Sequence, residues 1–283
     1  MSAPPIDGLV TRLRAAGCVF AEEEAALLLE AAALGGGAQP GDRLEHLVER
    51  RIGGEPLEHV LGWVAFAGRR WGVAPGVFVP RQRSELLVRE AVAAAPPGRA
   101  VVVDLCCGNG ALGGAVALAL RDAGGEVVLH ASDVDAAATA CAAANLAPLG
   151  GVVHAGDLYA ALPGSLQGGV DILLCHAPYV PTAAIALMPP EAREHEPLVA
   201  LDGGSDGLDV LRRVIADAWS WLAPGGSLLF EVGDDEQLAT VATHLTAVGL
   251  GRRVAEDDET GATVVVATRR APEGKRASAG PNA

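Results

Sequence analysis

A glycine-rich stretch that begins near residue 101 contains the residues best suited to bind a ligand. The apolar run Val101–Val103 is followed by Asp104, and glycines follow at positions 108, 110, 113 and 114. This pattern predicts a buried strand, a tight turn and the N-terminus of a helix. Glycines allow positive φ and let a ligand approach the backbone, while the helix N-terminus favours an anionic group. The stretch therefore predicts a cofactor site.

Two classes of cofactor fit this stretch. Gly108, Gly110 and Gly113 satisfy the GxGxxG spacing of dinucleotide-binding proteins, and Asp133 follows where a ribose-binding acid is expected. Asp104 argues against that class, because a carboxylate in the turn would repel a pyrophosphate. The ammonium and sulfonium cations of S-adenosylmethionine (SAM) would instead be attracted to it. The stretch favours a SAM site over a dinucleotide site, and over a glycine turn without a ligand.

Acidic residues follow the next two predicted strands. Asp133 and Asp135 come after the second strand, where a carboxylate can accept hydrogen bonds from ribose hydroxyls or cap the next helix. We favour Asp133 for the ribose and Asp135 for the cap. After the third strand, Asp157 is placed to accept from an adenine amino group and Leu158 to pack on the ring, although a simple loop acid is the alternative.

The fourth strand ends in the segment Cys175-His176-Ala177-Pro178-Tyr179. A polar side chain followed by a stiff turn and an aromatic ring can line a pocket that faces the methyl group of SAM. His176, Pro178 and Tyr179 are therefore candidates for the acceptor site.

The elements that position these residues follow a strand–helix rhythm from residue 100 onward. Apolar strands alternating with helices predict an α/β fold with a doubly wound, Rossmann-like sheet, whose ligands lie at the carboxyl ends of the strands. We predict a helical domain at residues 1–75, a SAM-dependent domain at 76–270 and a disordered tail at 271–283. We expect Asp42 to cap a helix in the first domain and Ser84 to cap the helix Glu85–Ala95 near the start of the second. The predicted strands are Ala100–Leu105, Glu126–Ser132, Val152–Ala155, Val170–Cys175, Ser227–Val232 and Thr263–Thr268.

Composition limits the partners of the chain. The net charge is −14, and most of the acidic excess lies after residue 100, which argues against broad nucleic-acid binding. A group of six arginines between Arg69 and Arg99 could meet an acidic partner or RNA, but a solvated face is favoured. Five scattered cysteines without a metal-ligand spacing indicate a reducing compartment and no metal site. Without a leader or a long apolar run, we expect a cytoplasmic protein that does not enter a membrane.

The order and spacing of several motifs resemble one family, the HemK-like protein-glutamine N5-methyltransferases that modify peptide-chain release factors. The resemblance runs from about Glu55 to Arg269 and implies a seven-stranded SAM-dependent methyltransferase with a small N-terminal helical domain, a final antiparallel hairpin and a release factor as substrate. It implies that Asp104 and the backbone of residues 106–110 (Cys106, Cys107, Gly108, Asn109, Gly110) hold the methionine part of SAM. The motifs that carry it are Phe78-Val79-Pro80-Arg81, Asp104-Leu105-Cys106-Cys107-Gly108-Asn109-Gly110, Asp133, Asp157-Leu158, Glu194-His195-Glu196-Pro197, Asp202-Gly203-Gly204, Asp206-Gly207-Leu208, Pro224-Gly225-Gly226 and Phe230-Glu231-Val232-Gly233.

The chain departs from the family at its centre. The family has Asn-Pro-Pro-Tyr, in which the Asn side chain and the next carbonyl bind the substrate amide, whereas this chain has His176-Ala177-Pro178-Tyr179. Three interpretations of His176 stay open: it still orients a glutamine amide, it serves another acceptor as a general base, or the site is weakened. The alternatives to a glutamine methyltransferase are accordingly a SAM-dependent methyltransferase of another protein or small molecule, and a SAM-binding protein with weak catalysis. An NAD-dependent oxidoreductase ranks below these.

Overall fold

The computed structural model describes residues 6–34 and 39–271, so that the predicted tail lies outside the described residues from position 272 onward. The helices and strands alternate along most of the chain as the sequence predicts. In chain order they are α1 (Ile6–Ala15), α2 (Ala21–Leu34), α3 (Pro40–Ile52), α4 (Leu57–Leu61), β1 (Trp63–Phe66), β2 (Arg69–Gly72), α5 (Glu85–Ala94), β3 (Arg99–Leu105), α6 (Ala111–Asp122), β4 (Glu126–Asp133), α7 (Ala136–Leu146), β5 (Val152–Ala155), β6 (Val170–Cys175), α8 (Pro190–His195), α9 (Asp209–Trp221), β7 (Leu222–Val232), α10 (Asp235–Ala247), β8 (Gly251–Asp257) and β9 (Ala262–Thr268).

A seven-stranded sheet forms the centre of the molecule and confirms the predicted fold class. Its strand order is β5-β4-β3-β6-β7-β9-β8. The first five strands in this order are parallel, while β9 pairs antiparallel with both β7 and β8. The chain order reverses between β3 and β6, and ligands bind in α/β sheets beside such a switch point. All six predicted strands and the final hairpin are present.

Helices α1 to α4 have a hydrophobic core of their own. Its large buried side chains are supplied by all four helices, and Leu13 and Leu28 are fully buried in it. Its last buried member along the chain is Val60, whereas most buried hydrophobic residues from Val64 onward belong to the cores of the sheet. This packing supports a separate helical unit, and the division at residue 75 stays a prediction.

The hairpin of β1 and β2 is an element that the sequence did not reveal. Its turn is Ala67-Gly68, and both residues have positive φ. Trp71 packs against α6, and a Cβ at Gly114 would overlap its ring. Gly114 therefore serves helix packing and not a ligand.

Two predicted helix caps are wrong. Helix α3 begins at Pro40 after Gln39, so that Asp42 lies within its first turn. Ser84 precedes α5 but makes no capping hydrogen bond, because its backbone is already helical and closes a short 3₁₀ turn at Gln82–Ser84. Its buried hydroxyl lies instead beside the ring of His176.

Candidate active site

A cavity of about 340 Å³ opens at the carboxyl ends of β3, β4 and β6. The parallel strands bring the loops that follow them to this edge, so residues far apart in sequence meet there. All the candidate site residues predicted from the sequence line it except Gly110, which begins α6 beside it. The lining members are Asp104, Cys106, Cys107, Gly108, Asn109, Asp133, Asp157, Leu158, His176, Pro178 and Tyr179.

Asp104 is a fully buried carboxyl at the floor of the cavity. Its Oδ2 accepts a hydrogen bond from the Gly113 amide at 2.9 Å, while Oδ1 has no hydrogen-bond partner among the described residues. Burial raises the pKa of Asp104 to about 7, against the opposing effects of the Gly113 amide and His176. A Cβ at Gly113 would lie 2.9 Å from this carboxylate, so glycine is required here. The unpartnered oxygen is suited to a cationic group.

The turn after β3 exposes backbone to the cavity. Gly108 and Gly110 have φ of 54° and 79°, and Cys106 adopts a φ of 55° that is rare for a residue with a side chain. A hydrogen bond with Cys175, together with burial, raises the pKa of the Cys106 thiol, which therefore stays protonated. The Asn109 side chain bonds to the Gly72 carbonyl and the Ala111 amide. Asn109 thus holds the turn and offers a ligand only its backbone.

Asp133 and Asp135 have different hydrogen-bond partners, and the predicted cap at Asp135 is confirmed. Asp135 accepts from the amides of Ala137 and Ala138 and is the N-cap of α7. Asp133 accepts from the Gly108 amide with Oδ2 and from the Asp135 amide with Oδ1, each at 2.9 Å. Each of these oxygens retains a second lone pair that a hydroxyl can use. Asp133 therefore connects two loops and still presents acceptors.

Asp157 lies at the rim of the cavity. Its carboxylate forms an ion pair with Arg213 of α9 at 2.5 Å, and both side chains are more than half exposed. Leu158 is buried and adopts a φ of 48°, which is rare for a residue with a side chain. Sequence reasoning did not identify Arg213, because nothing in α9 marks it as part of the site.

His176 occupies a buried slot between β6, β7 and the start of α5. Its Nε2 lies 3.6 Å from Oε2 of Glu231 and 3.5 Å from Oγ of Ser84. The ring also packs against Phe78 and Tyr179, with centroids 5.5 and 6.0 Å apart. Sequence analysis placed Glu231 in a family motif without a role and took Ser84 for a cap. The pairing of Cys175 with Phe230 is what brings His176 beside Glu231.

Glu231 is an almost completely buried carboxylate. Its Oε1 has no hydrogen-bond partner among the residues that the structure describes. Burial acts to raise its pKa, but the charge of His176, the Ser84 hydroxyl and the charge of Arg83 outweigh burial and leave the pKa below its ordinary value. Glu231 therefore places a buried carboxyl group directly behind His176.

The loop that carries Tyr179 is held from two sides. The Tyr179 hydroxyl accepts a hydrogen bond from Arg83, and burial raises the pKa of Tyr179 to about 12. The Gln237 amide donates to the carbonyls of Tyr179 and Asp206 at 2.9 and 3.0 Å. Gln237 is a buried residue of α10 that sequence analysis missed, since helical periodicity alone suggests only packing.

Glu196 fixes the other wall of the site. Its side chain is 1% exposed, and both carboxylate oxygens accept from Arg81 at 2.7 and 2.8 Å. This pair joins the segment before α5 to the segment after α8. Arg70, Arg83 and Arg89 also have partners within the chain. Together with Arg81, four of the six arginines of the predicted group are therefore paired.

Membrane-spanning helices and metal clusters are both absent from the described part of the chain. Among residues 6–34 and 39–271, no helix is long and apolar enough to cross a membrane. The same residues include no group of three His, Cys, Asp or Glu side chains placed to hold a metal ion.

Comparison with known proteins gives consistent results. Residues 74–187 match the family model described as the methyltransferase small domain. The chain is 40% identical to the release factor glutamine methyltransferase of Mycolicibacterium smegmatis over 70% of this chain and 68% of the relative. It is 37% identical to a 4-amino-L-phenylalanine/4-methylamino-L-phenylalanine methyltransferase of Streptomyces pristinaespiralis over 73% of this chain and 70% of the relative. A ribosomal protein L11 methylase from Lactobacillus delbrueckii superimposes with a TM-score of 0.50 at 16% identity, over 70% of this chain and 84% of that one.

Proposed function

Since the chain belongs to the family of release factor glutamine methyltransferases, we propose that it transfers a methyl group from SAM to the side-chain amide nitrogen of a glutamine in a peptide-chain release factor. Membership of this family makes the chain a SAM-dependent methyltransferase. The observation that carries the proposed acceptor is the 40% identity to a release factor glutamine methyltransferase over more than two thirds of both chains. We further infer a cytoplasmic location from the five free cysteines, and no direct contact with nucleic acid from the acidic charge.

The residues around the cavity fit SAM. The unpartnered Oδ1 of Asp104 suits the ammonium of the methionine part, and the turn at residues 106–109, which lines the cavity, suits its carboxylate. Asp133 is assigned to the ribose hydroxyls, and Asp157 with Leu158 to the adenine. When bound, SAM supplies a methyl group on a positively charged sulfur, which a nitrogen lone pair can attack.

The acceptor side of the cavity is assigned to His176, Pro178 and Tyr179. An amide nitrogen is a poor nucleophile, so the site must hold it in line with the methyl group and exclude water. The contacts of Gln237 and Arg83 with Tyr179 keep this wall rigid. Rigidity of this kind is what a reaction that depends on positioning requires.

The test is transfer of tritiated methyl groups from SAM to release factors of the same organism, followed by mass spectrometry of the labelled peptide. We expect one methyl group on a single glutamine, and none on a release factor in which that glutamine is replaced. Binding of SAM without label on any release factor would reject the proposed acceptor. The absence of SAM binding in calorimetric titration would reject the assignment of the cavity.

A second candidate acceptor is a small molecule with an amino group. The specific observations are the replacement of the family's Asn-Pro by His176-Ala177 and the 37% identity to a methyltransferase of 4-amino-L-phenylalanine. Turnover of 4-amino-L-phenylalanine, with no label on release factors, would favour this candidate over the first.

A further inference from the structure

The two ring nitrogens of His176 have unequal surroundings. Nε2 faces the Glu231 carboxylate and the Ser84 hydroxyl at 3.6 and 3.5 Å. Nδ1 has no hydrogen bond to any residue within 6–34 or 39–271, and the side chain lines the cavity. A negative charge beside Nε2 favours the tautomer with its proton on that nitrogen. Nδ1 is then the nitrogen with a free lone pair.

Glu231 can maintain this arrangement because its buried carboxylate lies beside the ring and 3.9 Å from the Arg83 guanidinium. It is 3% exposed, with one oxygen toward His176 and the other without a partner among the described residues. Burial acts to raise its pKa, while Ser84, Arg83 and a protonated His176 act to lower it. A buried anion next to the ring stabilises the ring after it has gained a second proton.

We propose that His176 accepts, at Nδ1, the proton that the acceptor nitrogen loses during methyl transfer, and that Glu231 and Ser84 are positioning residues that hold the ring for this task. The inference rests on the proposed function and deepens it. The bond between the nitrogen and the methyl carbon forms as the bond between that carbon and sulfur breaks. The electron pair of the broken bond stays on sulfur, and the N–H proton passes to Nδ1 and later to water.

This role defines the class of substrate for the site. The acceptor must be a nitrogen that carries at least one hydrogen and that would be left with a positive charge if no proton were removed. A glutamine amide and a primary or secondary amine both satisfy this requirement. A tertiary amine or a thioether does not, and we expect neither to be methylated.

The groups that face His176 must be considered together in any pH experiment. They are Glu231 on β7, Arg83 and Ser84 before α5, Asp104 on β3 and Tyr179 in the same loop. Burial raises the pKa of Tyr179 to about 12, outside the working range. Asp104 titrates within it, since its pKa is about 7, so kcat must be measured with SAM at saturation.

The first experiment measures kcat against pH for wild type, His176→Asn, Glu231→Gln and the control His46→Asn, an exposed residue of α3. The acceptor is whichever of the release factor and 4-amino-L-phenylalanine the wild type methylates. We expect the wild-type kcat to fall tenfold per pH unit on the acidic side, and His176→Asn to lose this acid limb with at least a tenfold lower plateau. Glu231→Gln should move the limb to lower pH with SAM affinity unchanged. An acid limb that persists in His176→Asn would overturn the proposal.

The second experiment needs no acceptor and separates this inference from the proposed function. Nitrogen NMR of the imidazole rings, with His176→Asn used to assign the signal, reports the tautomer of His176 in the neutral ring. We expect the proton on Nε2 in wild type and a mixture of tautomers in Glu231→Gln. A proton on Nδ1 in wild type would overturn the inference even if release factors are methylated. If release factors are not methylated but the tautomer is as expected, only the proposed acceptor fails.

Discussion

At the scale of a single residue, the charge of Asp104 should make the binding of a cationic ligand depend on pH. Its carboxyl is fully buried, and burial raises its pKa to about 7 in the free protein. A cationic ligand favours the ionised form, so we expect SAM affinity to rise as pH increases from 6 to 8 and to level off above the pKa. The slope below the pKa should approach tenfold per pH unit. Calorimetric titration at several pH values measures it, and Asp104→Asn should bind more weakly with a flat profile. If the affinity of the wild type for SAM did not depend on pH, Asp104 would not be the partner of the cationic group.

The same carboxyl makes the free protein sensitive to pH. Because its pKa is raised from the ordinary value of 3.8 to about 7, the folded state binds more protons than the unfolded state between these values. The contribution of this group to the free energy of unfolding then falls as pH rises from about 4 to 7. Urea denaturation without ligand at several pH values measures this contribution as the difference between wild type and Asp104→Asn, which should become less favourable to wild type as pH rises.

Residue types alone revealed much of the candidate site. Asp104, Asp133 and the glycines were identifiable because carboxylates and glycines directly after apolar strands are typical of ligand-binding turns. Glu231, Ser84 and Gln237 were not, since their importance depends on long-range neighbours. The contact of Ser84 with His176 spans 92 positions, and no local pattern encodes it. The roles of the predicted residues in binding SAM stay predictions.

At the scale of elements, the loop after β6 depends on a glycine segment that lies under it. Gly207 has a φ of 80°, and a Cβ there would overlap the Tyr179 carbonyl oxygen and the Gln237 amide. Gly207→Ala should therefore displace the Tyr179 loop and lower methyl transfer more than tenfold, with a smaller effect on SAM affinity. The control is Gly261→Ala in the turn between β8 and β9, where φ is 67° and a Cβ meets open space. It should cost about 1–2 kcal/mol of stability through its backbone and leave activity intact. Equal activities of the two variants would contradict this prediction.

The ion pair between Arg81 and Glu196 holds two segments of the cavity wall together. Arg81→Met leaves a nearly buried carboxylate without a cation and should lower the free energy of unfolding by about 2–3 kcal/mol at pH 7.5. Burial already raises the pKa of Glu196, and loss of Arg81 removes an opposing effect, so the loss should shrink as pH falls and the carboxyl gains a proton. Urea denaturation at pH 7.5 and 5.5 measures both effects.

An exposed ion pair supplies the matched control. Arg89 pairs with Asp257 at 2.8 Å, but its side chain is 58% exposed. Arg89→Met should cost less than about 1 kcal/mol at either pH. Adding Glu196→Gln to Arg81→Met should recover stability at pH 7.5. If the Arg81 and Arg89 variants lose equal stability, the buried pair does not have the role given to it.

Most elements of the sheet could be predicted because apolar strands and amphipathic helices differ in period. The hairpin of β1 and β2 could not, because its turn lacks the usual signal. Asn-Gly or Asp-Gly marks such turns, whereas here Ala67 adopts a φ of 49°. Its amide donates to Glu85 at 3.0 Å, a tertiary contact that helps to hold the unusual turn. The conformation thus depends on a helix 18 residues away.

At the scale of the whole molecule, polar contacts link helices α1–α4 to the part of the chain built on the sheet. The described links include Arg70 with Glu30, Arg51 with Glu191, and the His59 ring with the Val77 carbonyl. Of these links, the Arg70–Glu30 pair is exposed and contributes little to stability, and the buried residues of the helices and of the sheet form separate clusters. The core of α1–α4 and the cores of the sheet therefore have separate sources of stability, and a ligand of the sheet need not stabilise the helices.

We accordingly expect two transitions in differential scanning calorimetry, of which only one responds to SAM. At one hundred times its Kd, SAM should stabilise the part built on the sheet by about 2.7 kcal/mol. For a part of this size, the midpoint temperature of its transition should then rise by several degrees. Leu28→Ala, in the core of α1–α4, should lower the midpoint temperature of only the transition that does not respond to SAM. Leu173→Ala, in β6, should lower only that of the transition that does. Each should reduce the free energy of unfolding of its part by about 2–5 kcal/mol. A single transition that both variants lower and SAM raises would show that the two parts unfold as one unit.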